Sequence, residues 1–379
     1  MEPIKISTNK SWGLTILLAL MAPFCHLSAQ EVEDGSRFVY EKDWTPWKKA
    51  IQFPDTVQKL WINTGDPFVF SKLSQFSNLK GLIITEHPLT HLRWVDMFPN
   101  LEVLEVTGNG LVSLEGIESL SKLREFSCAS NFITDLGPLL QLDSLEVLSV
   151  YNNDIKDLNQ LSKMKPLRSL DLSLNPIQNL DPIAGWESLE SFSVYRCTQL
   201  TDIDPVYKWT NLKELNISFL NLPEFNLAYL RNHTNLVGLR IQGMVKTNSE
   251  LRHLSGMKSL EQLTMGKNDS IVSIAELKTL VNLRYLDIHS NNISEIEVVR
   301  NMPRLVKVVM YRNKIKDISP LLACPEMRAL FMHENPVKDY NPIYQMGYLQ
   351  YLNLDKDDFG STQRETIKKA LPTVQVGYM

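Results

Sequence analysis

The sequence predicts a solenoid of short parallel strands, because one apolar pattern recurs along most of the chain. The first, fourth and sixth positions of each repeat are apolar, as in Leu101, Leu104 and Val106. Most repeats are twenty-two residues long, and in this register they begin at Val57, Leu79, Leu101, Leu123, Leu145, Leu167, Leu189, Leu212, Leu236, Leu260, Leu283, Leu305, Met327, Leu349 and Leu371. One such unit buries too little apolar surface to fold alone, so we expect neighbouring units to stack around one continuous core.

Each repeat is predicted to contain one strand followed by a return arm. Positions four and six point the same way, which is the two-residue period of a strand. Proline favours a turn or a 3₁₀ segment because it cannot donate to a strand ladder, and it recurs at position sixteen as Pro138, Pro182, Pro320 and Pro342. A short carboxylate accepts backbone N–H groups at the start of such an arm, and position thirteen is Asp135, Asp157, Asp317 and Asp339.

Position nine completes the pattern, because asparagine occupies it as Asn109, Asn131, Asn153, Asn175, Asn268, Asn291, Asn313 and Asn335. The consensus L-x-x-L-x-L-x-x-N-x-I-x-D-L-x-P-L resembles the internalin-type leucine-rich repeat of bacteria over residues 57–379. The resemblance implies an α/β solenoid shaped as a horseshoe, with parallel β-strands on the concave face, 3₁₀ and turn arms on the convex face, and helical caps. It also implies that the asparagine column is a buried ladder for the backbone groups of neighbouring turns.

The pattern is interrupted in two ways. Asparagine is replaced at position nine by Gly65, His87, Cys197, Leu220 and Met244. The repeats that begin at Leu189, Leu212, Leu236 and Leu260 run to 23, 24, 24 and 23 residues. We therefore expect irregular local curvature and longer convex loops across 189–282, which are either a functional epitope or tolerated loop drift.

The first residues predict export. Lys5 and Lys10 precede an apolar run from Trp12 to Cys25, which is typical of a secretory signal peptide over residues 1–29 with cleavage near Ala29. The bulky Phe24 argues against a lipid anchor on Cys25. No later segment is apolar enough for a transmembrane span, so we expect the protein in the periplasm, at the cell surface or in the medium.

The remaining chain divides into an N-terminal cap at 30–56, repeats at 57–348, and a last repeat with a C-terminal cap at 349–379. In the first cap, Thr45–Pro46 is expected to begin a short helix that ends before Pro54 and buries Trp47, Ala50 and Ile51 on one face. In the second cap, Thr362 and Glu365 predict a capping box for a helix through Ala370, followed by a strand.

Composition and motifs exclude several function classes. Removal of residues 1–29, whose charges are Glu2, Lys5 and Lys10, changes the net charge from −4 to −5 and argues against a nucleic-acid partner. The three other cysteines, Cys128, Cys197 and Cys324, occupy core positions and are expected to be buried thiols. No phosphate loop, metal-ligand spacing or catalytic elbow occurs, so we predict a non-enzymatic protein without catalytic residues, cofactor or metal.

The predicted concave face is read from positions three, five, seven and eight, which alternate with the buried ones. Its richest part provides the candidate binding residues Tyr285, Asp287, His289, Lys307, Tyr311, Arg312, Phe331, His333, Glu334 and Tyr351. We expect the four aromatic residues in that set to form one exposed patch, because aromatic and arginine side chains dominate interface hot spots. His289 and His333 lie two repeats apart and should face inward, where they could share a ligand but not easily a metal.

The predicted function is that of an exported scaffold whose concave face binds a macromolecular partner, with a protein favoured. The resemblance agrees, since internalin-type repeats bind protein ligands on this face. One alternative is a glycan that stacks on the same aromatic residues. Another is an accessory subunit of an envelope complex, which would use the longer repeats on the convex side.

Overall fold

The computed structural model describes residues 44–65, 69–85, 87–356 and 359–379. The predicted signal peptide at 1–29 and residues 30–43 of the predicted cap lie outside the described residues. The chain divides into two compact units, one up to Phe192 and one from Ser193.

The first unit is built on parallel strands that pair in chain order. These strands are Thr45–Pro46 (β1), Lys59–Ile62 (β2), Gly81–Ile84 (β3), Val103–Glu105 (β4), Glu125–Ser127 (β5), Val147–Ser149 (β6) and Ser169–Asp171 (β7), and Ser191–Ser193 (β8) lies at the boundary of the units. Position four of one repeat pairs with position four of the next, as Leu104 with Phe126. The strand prediction and its register are therefore confirmed here.

The second unit repeats this arrangement with eight strands. They are Glu214–Asn216 (β9), Gly238–Arg240 (β10), Gln262–Thr264 (β11), Tyr285–Asp287 (β12), Lys307–Val309 (β13), Ala329–Phe331 (β14), Tyr351–Leu354 (β15) and Gln375–Tyr378 (β16). Leu286 pairs with Val308, and Val308 pairs with Leu330. Leu286 and Leu330 are completely buried, as are Leu104 and Leu148 in the first unit. A dry column of apolar side chains therefore runs behind the strands of each unit.

The return arms are 3₁₀ segments in most described repeats, as predicted. They are Arg93–Met97, Ile117–Ser119, Gly137–Gln141, Leu161–Lys163, Asp181–Ile183, Asp204–Lys208, Leu227–Leu230, Asn248–Leu254, Ala275–Thr279, Glu297–Asn301, Ser319–Ala323 and Asn341–Gln345, and a further 3₁₀ segment at Pro54–Thr56 precedes the first repeat. The aspartates at position thirteen accept the backbone N–H two residues ahead, as Asp317 does from Ser319 at 2.8 Å. Of the two 24-residue repeats, one has an arm of 7 residues, Asn248–Leu254, and the other has an arm of 4 residues, Leu227–Leu230.

The asparagine column forms the ladder that the resemblance implied. The Asn313 amide donates to the carbonyl oxygens of Ile288 at 2.9 Å and Met310 at 3.0 Å. Its carbonyl accepts the Ile293 N–H at 3.0 Å, so one side chain satisfies three backbone groups across two repeats. His87 keeps this function although it is not asparagine, because it lies buried with its Nδ1 2.8 Å from the carbonyl oxygen of Thr64.

Position eight has a backbone conformation that its residue types do not predict. Its backbone is left-handed, with φ between 51° and 59°, at Ser130, Asn152, Leu174, Arg196, Phe219, Lys267, Ser290, Arg312 and Glu334. Gly108 and Gly243 occupy the same position, each with φ of 69°. The chain turns here from the strand into the asparagine ladder, so stacking of the repeats imposes a conformation that most of these residues do not favour alone.

The N-terminal cap differs from the prediction at its first turn. Helix α1 spans Trp47–Ala50 and begins after Pro46, because Thr45 and Pro46 are extended and pair with β2. Ile51 was expected on the buried face but is 38% exposed. A second helix, α2 at Val69–Leu73, replaces the predicted 3₁₀ arm of its repeat.

The C-terminal helix is also capped by other residues than predicted. Helix α3 spans Ser361–Ala370, and its N-cap is Gly360. The Gln363 side chain accepts the Gly360 N–H at 2.7 Å, whereas Thr362 lies inside the helix. The predicted pair of Thr362 and Glu365 is wrong by two residues, because the helix starts earlier than the threonine suggests.

Two exposed glycines test the conformation at position eight. Gly108 is left-handed, Gly185 is not, and a Cβ added at either would meet nothing within 4 Å. We expect Gly108→Ala to lower the free energy of unfolding by about 1 kcal/mol, and Gly185→Ala to leave it unchanged or raise it by about 0.5 kcal/mol. Chemical denaturation of both variants measures the difference, and equal effects would contradict a conformational origin.

Candidate binding site on the strand face

The strand face is defined here as the side chains at positions three, five, seven and eight of each repeat. All ten candidate residues lie on this face of the second unit, on β12 to β15 or in the residues that directly follow them. The register of β12, β13 and β14 brings equivalent positions side by side, so a residue contacts its counterpart in the next repeat.

Three rings at position seven form the ring stack, which consists of His289, Tyr311 and His333. The His289 and Tyr311 rings are 4.8 Å apart at 22°, and the Tyr311 and His333 rings are 4.5 Å apart at 10°. Gly266 lies at the same position one repeat earlier, and a Cβ there would collide with the His289 ring. Both faces of the tyrosine are therefore covered, and the stack is closed at one end by backbone.

Asp287 orients the first ring of the stack. Its carboxylate accepts the His289 backbone N–H at 3.1 Å and lies 2.5 Å from His289 Nδ1. The same carboxylate accepts the Tyr285 hydroxyl at 3.4 Å. Burial of the Tyr285 side chain, with Asp287 beside it, holds the pKa of that phenol well above its usual range.

A second group, the lysine sandwich, consists of Tyr285, Lys307 and Phe331. Lys307 Nζ lies 5.2 Å from the Tyr285 ring centroid and 5.2 Å from the Phe331 ring centroid. Burial lowers the pKa of the Lys307 amine, and the Asp287 carboxylate opposes that shift. The ammonium group is thus held between the two aromatic rings.

Charged side chains border these two groups on the solvent side. Arg312 Nε donates to both carboxylate oxygens of Glu334 at 3.0 and 2.9 Å, and both side chains are exposed. The hydrogen bond from Arg312 to Glu334 raises the pKa of that guanidinium. The Glu334 N–H in turn donates to the Asp355 carboxylate at 2.8 Å. The rim therefore presents one arginine and two carboxylates in a connected arrangement.

The expectation of one exposed aromatic patch is wrong. Tyr285 is buried at 8% exposure and belongs to the lysine sandwich, whereas Tyr311 belongs to the ring stack. Phe331 is half-buried, and Tyr351 is half-buried on β15 in register with Ala329. Side chains at adjacent strands are about 4.8 Å apart, so large residues pack on each other instead of standing free in solvent.

The two histidines also take a different role from a shared ligand site. Tyr311 lies between His289 and His333, so a group bound by both would have to displace its ring. Burial lowers the pKa of His333, which favours its neutral form at neutral pH. Among the residues that the structure describes, no group of three histidine, cysteine or carboxylate side chains is placed to hold a metal ion.

A buried ion pair on the same face was missed by sequence reasoning. Arg240 lies 3.4 Å from the Glu214 carboxylate, which is 2% exposed at its side chain, and it also reaches Gln262 at 3.5 Å. Burial raises the pKa of Glu214 to about 7, although Arg240 opposes the shift. Gly238 makes the space, because a Cβ there would collide with the Glu214 carboxylate. A glutamate beside a glycine one repeat later was the available signal.

Comparison with known proteins supports the same fold. Residues 143–185 and 281–323 match the family model described as Leucine Rich repeats (2 copies). The chain is similar to an internalin, InlF, from Listeria monocytogenes, with 24% identity over 73% of this chain and 81% of that one, at a TM-score of 0.59. The chain therefore has the leucine-rich repeat fold, and internalins are among the structures it resembles.

Two further structures resemble this leucine-rich repeat protein. A leucine-rich repeat protein of Leptospira interrogans shares 20% identity over 88% of this chain and all of its own length, 100%, at a TM-score of 0.60. The functional domain of InlJ from Listeria monocytogenes shares 18% identity over 80% of this chain and 64% of that one, at a TM-score of 0.56. No curated protein matches the chain in sequence. In the described part of the chain, no helix has the length and apolar character needed to cross a membrane.

The buried Glu214 predicts a pH effect on stability. Its folded-state pKa of about 7 lies above the usual 4.5, so the folded protein holds a proton between these values that the unfolded chain has lost. Stability should therefore fall as pH rises from 4.5 through 7. In Glu214→Gln this contribution should disappear, by an amount on the order of 2–3 kcal/mol between the two ends of the range.

Denaturation of the wild type and Glu214→Gln at several pH values checks this effect. The exposed Glu276→Gln is the control for loss of one carboxylate in the same unit. Parallel pH profiles for the wild type and Glu214→Gln would contradict the assignment.

The ring stack predicts a stability cost that an exposed tyrosine would not have. Tyr311→Ala removes two ring contacts and should lower the free energy of unfolding by about 1–3 kcal/mol. Tyr348→Ala removes a ring that is 70% exposed, and the change should stay within about 0.5 kcal/mol. Urea denaturation measures both, and indistinguishable midpoints would show that the stack contributes nothing.

Proposed function

We propose that this leucine-rich repeat protein is an exported scaffold that binds a protein partner through the ring stack, the lysine sandwich and their charged rim. Leucine-rich repeat folds are typically non-enzymatic binding scaffolds, and we propose the same for this chain. The residues proposed for contact are those of the predicted concave face that remain accessible, with Tyr311, Arg312, Phe331 and Glu334 at their centre.

The observation that carries the proposal is the preorganisation of these side chains. Tyr311 is held between two rings, Phe331 covers the Lys307 ammonium, and Arg312 is held by Glu334. Side chains that are already fixed lose little conformational entropy on binding, so more of the contact energy appears as affinity. Aromatic anchors beside an arginine are also the composition of interface hot spots.

The geometry favours a protein over a glycan at this site. A sugar ring stacks on an open aromatic face, but His289 and His333 cover both faces of Tyr311. The edge and hydroxyl of that ring, together with the Arg312 and Glu334 side chains, are suited to hydrogen bonds and side-chain contacts with a polypeptide. The glycan alternative therefore depends on Phe331 and Tyr351 alone.

The proposal of export rests on the sequence of residues 1–29, with its lysines, apolar run and small residue at Ala29. The buried state of the described cysteines Cys128, Cys197 and Cys324 is compatible with an oxidising compartment, because buried thiols do not exchange readily. Burial also raises the pKa of Cys324 to about 11, which lowers its reactivity further.

Site-specific photo-crosslinking tests the proposed face. A photoreactive amino acid in place of Arg312 should trap a protein partner, and the same residue in place of Lys278, on a 3₁₀ arm, should not. The double variant Tyr311→Ala/Phe331→Ala should weaken binding of the purified partner at least about tenfold, whereas Tyr348→Ala should not. The experiment uses the exported form of the protein, and identification of its N-terminal residue also tests cleavage after Ala29.

Three outcomes would overturn the assignment. Equal binding by the double variant and the wild type would show that the ring stack and the lysine sandwich are not part of the interface. Binding of a soluble glycan that is lost in Phe331→Ala, with no protein trapped, would favour the carbohydrate alternative. Trapping of the same partner only from arms within 189–282 would favour an accessory subunit that binds through the longer repeats.

A further inference from the structure

A separate cluster of cations and rings lies earlier in the second unit and is called here the arginine–lysine cluster. It consists of Tyr195, Arg196, Phe219 and Lys267. The Arg196 guanidinium carbon lies 5.2 Å from the Tyr195 ring centroid and 5.4 Å from that of Phe219. Lys267 Nζ lies 5.4 Å from the Phe219 centroid, and the Phe219 and Tyr195 rings meet edge to face at 5.7 Å.

The cluster depends on the backbone conformation at position eight and on the absence of a side chain at Gly243. Arg196, Phe219 and Lys267 all occupy position eight and share its left-handed backbone, with φ of 54°, 59° and 56°. Gly243 holds this position between Phe219 and Lys267, and a Cβ there would lie 3.0 Å from Phe219 Cδ1. The Phe219 ring therefore lies across Gly243 and reaches the lysine of the repeat after it.

The two cations are available to a partner. Arg196 and Lys267 are exposed, and neither is within ion-pair distance of a carboxylate among the residues that the structure describes. Both charges lie within 5.4 Å of one ring centroid, so they are separated by less than about 11 Å. A half-buried aromatic surface lies between them.

The charge of the surrounding unit agrees with an anionic partner. Residues 193–379 contain 23 lysines and arginines against 19 aspartates and glutamates, a net charge of +4. Residues 1–192 contain 16 against 24, a net charge of −8, so the value of −4 for the whole chain conceals a basic second unit. The prediction against a nucleic-acid partner used the net charge of the chain without residues 1–29, which does not describe this unit.

We propose that the arginine–lysine cluster binds an acidic peptide segment of a partner protein. Alternate residues of an extended peptide lie about 7 Å apart, so two carboxylates two residues apart fit the two cations. The side chain between or beyond them meets the Phe219 ring. A strongly charged polymer gains affinity from a long row of cations, whereas this site offers two cations around an aromatic ring, which suits a mixed acidic and apolar segment.

Fluorescence anisotropy with the full chain and a labelled peptide tests the site. The probe is a soluble peptide that contains Glu-Phe-Glu-Phe-Glu between glycine–serine flanks, and its control has glutamine for glutamate. The wild type should bind the acidic probe more tightly than the control. Arg196→Gln/Lys267→Gln should raise Kd for the acidic probe at least about tenfold, because each charge-assisted hydrogen bond is lost. It should also reduce the salt dependence of Kd.

Matched variants separate this site from general charge and from the site proposed above. Lys258→Gln/Lys278→Gln removes the same charge from exposed positions on the return-arm side and should change Kd less than about twofold. Tyr311→Ala/Phe331→Ala should also retain the peptide, since the cluster uses other residues, so this inference and the proposed function can fail independently.

Several results would overturn the inference. They are equal loss of binding in the Lys258 and Lys278 control, no effect of the cluster variant, or no preference of the wild type for glutamate over glutamine. Binding of a heparin hexasaccharide that is lost in Arg196→Gln/Lys267→Gln, with no binding of the acidic peptide, would assign the cluster to a sulfated polysaccharide instead.

Discussion

Asparagine side chains at position nine satisfy backbone groups that no water reaches, and this requirement keeps the successive turns of each unit in register. Asn313 bonds the carbonyl oxygens of Ile288 and Met310 and the N–H of Ile293. A slip of one residue would leave these buried groups without partners, at about 1–3 kcal/mol each. His87 supplies equivalent polar atoms, whereas the apolar Leu220 and Met244 are buried in the two 24-residue repeats.

The stacking of the repeats also determines which parts of the side chains on the strand face are accessible to a partner. Repeats about 4.8 Å apart force large side chains at equivalent positions against one another. Rings therefore stack, as His289 and His333 do on Tyr311, and charges are drawn between them, as Lys307 is. The face gains rigidity from this crowding, and the accessible part of each side chain becomes an edge or a polar tip. Such a surface is better suited to a shaped partner than to a planar ring.

Glycines shape this face by the space they leave. Gly238, Gly243 and Gly266 each lack a side chain where a neighbouring repeat places a large one. The Glu214 carboxylate fills the first space, the Phe219 ring the second and the His289 ring the third. In each case a side chain extends over a neighbouring repeat, and two of the three spaces lie beneath a proposed binding site. The pattern of small residues therefore determines where large residues can group.

The solenoid, its register, the 3₁₀ arms with their aspartates and the buried spine could all be predicted from the sequence, because they follow from apolar period and local backbone preference. The sequence also indicated which residues lie on the strand face. The sequence did not reveal that Tyr285 is buried, that Tyr311 is covered on both faces, or that Arg196 and Lys267 contact the same Phe219 ring; these are features of the folded protein. Those contacts join residues one or two repeats apart and depend on side-chain direction and on the left-handed turn at position eight. Neither is encoded in the local residue pattern; both arise when the repeats stack.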